Sequence, residues 1–194
     1  MIIYPVLGFI IGLLLKGLNT KIHYPLHHRY HWVSLIGHIL IWFGFHHHYH
    51  QIPHTLIVLA LASSILIEAS MIDLEYQEIP NSYNAMVAIL GGAFIWQYSA
   101  FYQDLLLSGV IAFVVFFVIM MLTGAMGGGD VKMAGAIGLF MPLGLVQNFI
   151  FYAFLIGSII AIALLVLRIK KKDDVFPFGP AIALAGIWMF MFFV

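Results

Sequence analysis

Two aspartates carry the chemistry this sequence could do. Asp130 directly follows three glycines, Gly127, Gly128 and Gly129, at the end of a long apolar run, and Asp73 ends another. Carboxylates brought close together cannot both ionise cheaply, so such a pair holds one proton between them. One member then acts as base toward a water while the other acts as acid toward a carbonyl oxygen or leaving amine, which is hydrolysis of the aspartic-protease kind. A low local dielectric strengthens that preference. Each acid also has a plain structural use, since an Asp at a helix end can cap it, and the two uses are compatible.

The elements that must position these acids belong to a membrane. Hydrophobic residues make up 63% of the 194 and charged residues 8%, where soluble domains carry about 25% charged residues. Mean hydropathy is +1.06. The expected fold is all-α, a polytopic integral membrane protein. Zero formal net charge and a pI near 7.2 give no overall basic field for nucleic acid. The absence of cysteine excludes disulfides and Cys-ligated zinc.

A spanning helix needs about 20 largely apolar residues. Candidate runs lie near 1–15, 33–45, 53–72, 83–102, 105–126, 131–145, 147–168 and 178–194, which predicts about eight transmembrane helices. The second and sixth are short and could be tilted or incomplete spans. The first run has no basic residue before it and no A-x-A-like site after it, so it reads as a helix and not as a cleaved signal peptide. With no clear internal repeat and no linker, residues 1–194 read as one membrane domain, 1–52 holding the first two helices and 53–194 the core.

Lys and Arg concentrate in cytoplasmic loops. Alternating eight spans puts Lys16, Lys21, Arg29, Lys132, Arg168, Lys170, Lys171 and Lys172 on one side, with the histidines at 46–50 and Asp104 on the other. Both termini are then expected outside the cytoplasm. Asp73 and Asp130 fall at cytoplasmic ends of different helices, where they could converge.

These residues also carry a resemblance. The stretch IDLEYQEIPN, Ile72 to Asn81, resembles the first catalytic motif of type IV prepilin peptidases, a family of GxGD-type intramembrane aspartic proteases. GGGDVKMAGAIG, Gly127 to Gly138, resembles their GxGD motif, and FPFGPAIALAG, Phe176 to Gly186, their entry into the last helix. The resemblance covers roughly residues 53–194. It implies that Asp73 and Asp130 are the catalytic pair of an endopeptidase that removes the leader of type IV prepilin-like precursors at the cytoplasmic face of the bacterial inner membrane. It implies no metal, nucleotide or other cofactor; the partners are the prepilin-like substrate and membrane lipid.

Neighbouring residues fit as motif support. Pro80 would preset the turn into the fourth helix and Asn81 could cap it. Gly127 and Gly129 would keep the backbone open beside Asp130, while Gly124 and Gly128, four apart, offer close helix packing instead. Lys132 reads as a positive-inside anchor, and Gly179 and Pro180 as shaping the start of the last helix. Glu68 is offset from Asp73 by about 140° on a helix turning about 100° per residue, so it is expected to make a polar contact to another helix. Glu75 and Glu78 read as solvated loop residues.

The sequence departs from many bacterial members of that family in the first cytoplasmic loop. In place of a long loop with two CxxC pairs, tied to methylation of the new N terminus, only Lys16 to Trp32 stand there, so methyltransferase activity is not expected. Histidines occupy the region instead: His23, His27, His28 and His31, then His46, His47, His48, His50 and His54 across the membrane. His27 and His31, at i and i+4, could share a helical face for a metal, but no acid or cysteine completes a site, and interfacial aromatic packing is the ordinary alternative. The rival function is a proton- or metal-coupled membrane transporter using Asp73, Asp130 and Glu68.

Overall fold

The computed structural model describes residues 3–124, 126–167 and 176–194. Within them the chain forms α1 (Ile3–Lys21), α2 (His28–Tyr49), α3 (Pro53–Tyr76), α4 (Asn81–Gln97), α5 (Tyr102–Thr123), α6 (Gly128–Gly138), α7 (Val146–Val166) and α8 (Gly179–Phe192). A 3-10 turn, Ser99–Phe101, leads into α5, and the described residues contain no strand. The basic run Arg168, Lys170, Lys171 and Lys172 lies outside the described residues.

All eight expected helices are present, but they do not all have the length and hydropathy of a membrane crossing. Four do: α1, α3, α5 together with its 3-10 turn, and α7. The others fall short for physical reasons. At a rise of about 1.5 Å per residue, α4, α6 and α8 span only about 26, 16 and 21 Å, against a hydrocarbon core of about 30 Å. Helix α2 is long enough, but polar histidines interrupt its apolar surface.

Helix α3 is the axis of the bundle. In its apolar window 78% of residues are buried, against 17% in α1 and α7. It packs against α2, α4 and α8, and more lightly against α1. Two of its buried hydroxyls are satisfied within the helix, Ser64 and Ser70 donating to the carbonyls four residues earlier, and Trp42 of α2 donates to Ser64. In lipid such bonds are what allow a polar side chain to sit inside a bundle. The outer helices turn apolar side chains outward, among them Val110 and Phe117 on α5 and Phe151 and Ile162 on α7, as contact with acyl chains requires and contact with water does not.

Helices α5 and α6 form the closest pair. A Cβ on Gly138 would stand 2.7 Å from the Ser108 carbonyl oxygen, so only glycine permits the two backbones to approach this far. The short α6 is thereby wedged among α4, α5 and α8.

The first connection differs from expectation. Helix α1 continues through Lys16 to Lys21, leaving residues 22–27 as the link to α2. The polar residues that suggested a loop remain helical because one of them, Asn19, is fully buried and bonded to Glu68. Helix α3 also outruns its apolar stretch. Glu75 is therefore helical and half-buried, its Oε2 accepting the His27 backbone N–H at 2.8 Å, while Tyr76 donates to the Pro25 carbonyl. Glu78 is exposed, as expected.

The histidine cluster also departs from its expected place in a loop. His46 to His48 belong to the last turns of α2, with His46 stacked on Tyr4 and His48 edge-on to Phe192. His27 precedes α2, so it shares no helical face with His31. Among the described residues no three His, Cys, Asp or Glu side chains converge as metal ligands.

Candidate active site

Asp73 stands one turn before the end of α3, and its carbonyl accepts the N–H of Gln77, the left-handed residue that terminates the helix. The chain then crosses Glu78, Ile79 and Pro80 to enter α4. Pro80, at φ −61 and ψ 137, is the N-cap residue of α4, so Asn81 is the first helical residue and not the expected cap. The proline ring already fixes the entry. The Asn81 side chain instead accepts a hydrogen bond from Lys132 Nζ at 2.7 Å, which gives Lys132 a partner within the site.

Asp130 is the third residue of α6, whose N-cap is Gly127. Its Oδ2 accepts the Gly127 backbone N–H at 2.9 Å, satisfying one of the donors a helix start leaves unpaired. The capping use and the free second oxygen coexist. Oδ1 of Asp130 is buried and has no hydrogen-bond partner.

The glycines divide by role. A Cβ on Gly129 would approach Ile79 Cβ to 3.0 Å, and the Gly129 carbonyl accepts Asn84 Nδ2 at 3.1 Å. Gly127 keeps the N-cap turn beside the Asp130 carboxylate. The alternative of helix packing through Gly124 and Gly128 is not what the structure contains, since neither would meet anything within 4 Å. Gly124 is needed for its backbone, ending α5 at φ +61, a region open to glycine at little cost.

Gly179 and Pro180 open α8 as expected, and Gly179 does more than shape the turn. Its N–H donates to Asp73 Oδ2 at 2.9 Å, and a Cβ there would stand 2.7 Å from the same oxygen. The start of α8 thus holds the α3 carboxylate with backbone alone.

Ile79 was not singled out by sequence, yet it organises the site. It is 6% exposed and packs against both Gly129 of α6 and Gly179 of α8. One side chain therefore sets the spacing of the two helix starts that carry or hold the acids. Its only sequence signal is an apolar residue between two acids and a proline.

The result is a cavity of about 480 Å³ lined by both Asp73 and Asp130, with Lys132, Asn81 and Phe178 also on its wall. Both aspartates are buried, at 5% and 7% exposure. The sequence expectation that two distant acids converge at one end of the bundle is met.

Glu68 is kept apart from this cavity, as its helical offset predicted. Its Oε2 accepts Asn19 Nδ2 at 2.7 Å, and its Oε1 meets Ser34 and the His38 ring, the latter at 3.1 Å. Tyr83 of α4 closes the network by donating to Asn19 Oδ1. Asn19, Ser34, His38 and Tyr83 escaped the sequence reading, because isolated polar residues in apolar runs carry no local mark of their partners.

A prepilin-like protein leader peptide-processing enzyme of Escherichia coli O78:H11 (strain H10407 / ETEC) is 31% identical over 136 residues, which is 66% of this chain and 48% of the relative. The chain thus spans about half the length of the curated relative it matches. No solved structure matches. The pattern of the type IV leader peptidase family fits residues 57–162, more than half of the chain, from within α3 through Asp73, α4, α5, Asp130 and α6 into α7, and so the chain belongs to that family.

Proposed function

We propose that this protein is a membrane-embedded aspartic endopeptidase that removes the leader peptide of type IV prepilin-like precursors at the cytoplasmic face of the inner membrane. The observation that carries the reading is one cavity shared by two buried carboxylates from different helices, one of which has an oxygen left unpartnered. In this reading Asp73 and Asp130 hold one proton between them. A water placed between them loses a proton to the ionised member as it attacks the scissile carbonyl, while the protonated member donates to the carbonyl oxygen. The amine then leaves with the proton taken from water. Gly179 and Gly127 each fix one oxygen of an aspartate through a backbone N–H, and in this reading the remaining oxygens are the ones that serve water and substrate. Fixed donors of this kind hold the reacting groups without reorganisation during the step.

Placing the acids on the cytoplasmic side follows from the basic residues, and it sets both termini outside. Residues 53–194 form the peptidase core on this reading. The transporter alternative has less support, because Glu68, which a pathway would use, is bonded to side chains from α1 and α2.

The test is co-expression with a type IV prepilin, following leader removal by gel mobility. The chain is expected to shorten the precursor, and Asp73→Asn and Asp130→Asn, each present at normal level in the membrane, are expected to leave it uncut. Normal processing by either variant would defeat the paired-acid mechanism.

A further inference from the structure

The carboxylate cavity continues beyond Asn81 and Lys132, which also line a second hollow of about 560 Å³. This groove exists because α6 lies between α4 and α5, which scarcely touch each other. Its lining is almost wholly apolar, with Leu106, Val110 and Phe113 on one side and Ala85 and Ala88 on the other. Leu106, Val110 and Ala85 are exposed, so the groove opens toward lipid.

One polar group in it is unsatisfied. Asn84 lines the groove and is only 5% exposed; its amide nitrogen is bound to the Gly129 carbonyl, and its Oδ1 is buried without a partner. An acceptor left unpaired in an apolar setting keeps its desolvation cost uncompensated, so it calls for a donor. An acyl chain has none. The first turn of a helix has up to about four backbone N–H groups without intrahelical partners.

We propose that this groove receives the apolar helix of the substrate, its first turn against Asn84 and the preceding residues passing Asn81 and Lys132 into the carboxylate cavity. This rests on the proteolytic reading above and adds where the substrate's membrane segment lies. From Asn81 to Ala88, α4 rises about 10 Å, which accommodates about two turns of a docked helix. The arrangement puts the scissile bond just before the helix begins. There its carbonyl is free of helical hydrogen bonds and can be attacked, and the orphan N–H groups of the helix start face the orphan oxygen of Asn84.

The experiment uses the full chain in lipid nanodiscs with a type IV prepilin. Benzoylphenylalanine replaces Val110 in the groove or, as control, Phe151 on the lipid-facing side of α7. Val110 is expected to crosslink to the prepilin's apolar helix and Phe151 is not. Separately, Ala85→Phe, filling the groove from an exposed position, is expected to raise KM about tenfold with kcat changed less than about twofold, the mark of lost binding shared by ground and transition states. Equal crosslinking from both positions, lipid adducts alone at Val110, or an unchanged KM would overturn the groove assignment while leaving proteolysis standing. Crosslinking from Val110 alone by a chain that never cuts the prepilin would sink the proteolytic reading and keep the groove as a helix-binding site.

Discussion

Two carboxylates on the same helix, five residues apart, lead opposite lives. Glu68 is 1% exposed, and both of its oxygens are engaged by side chains from α1 and α2. Asp73 is almost as deeply buried, yet its hydrogen bond comes from a backbone N–H and it faces a cavity that holds a second acid. Burial alone does not separate a structural acid from a chemical one. On the proposed reading the number and kind of partners does. Three side chains engage Glu68 across its two oxygens, while Asp73 accepts one backbone N–H and keeps more of its lone pairs for a water or a scissile peptide. Asp130, with one oxygen unpartnered, belongs with Asp73.

The largest test of that contrast is to neutralise each acid in turn. Asp73→Asn or Asp130→Asn is expected to lower prepilin processing by about three orders of magnitude or more, as loss of one member of a unit that acts together does, with little change in thermal stability in detergent. Glu68→Ala should invert the pattern. It strips Asn19, Ser34 and His38 of their buried partner, which predicts a loss of about 3 kcal/mol or more, read as a lowered unfolding midpoint, while turnover per folded molecule stays within a few-fold. Were Glu68→Ala to abolish turnover at full stability, the division between the two acids would be wrong.

A finer cut falls on Gly179. Adding a methyl group there drives it against Asp73 Oδ2, so Gly179→Ala is expected to lower kcat by about 10- to 100-fold through misplacement of the carboxylate, with KM nearly unchanged. The smallest effect is assigned to Lys132→Met. It removes one exposed hydrogen bond to Asn81, a contact of the kind that contributes less than about 1 kcal/mol, and processing should stay within about threefold.

The sequence made plain what depends on residue type along the chain. Apolar runs located all eight helices, and two acids at helix ends, each beside a turn signal, marked the site. What it concealed depends on which helix lies beside which. Ile79 looks like any apolar loop residue until Gly129 and Gly179 are seen against it, and His38 looks like a stray polar residue until Glu68 is beside it. Asn81 was misread as a cap because Asn is common there, whereas Pro80 already holds that position. Lengths misled in both directions. Polar residues at the end of α1 stayed helical, and the apolar stretch around Asp130 condensed into eleven residues of helix.

That Glu68 and Asp73 share one rigid rod has a last consequence. A helix can be aimed only by turning the whole of it, and the knot of side chains around Glu68 works as an indexing pin, fixing the azimuth of α3 from about a turn and a half away. The end that carries Asp73 can then remain sparsely bonded and, on the proposed reading, open to a passing peptide, since its bearing is set further along the shaft.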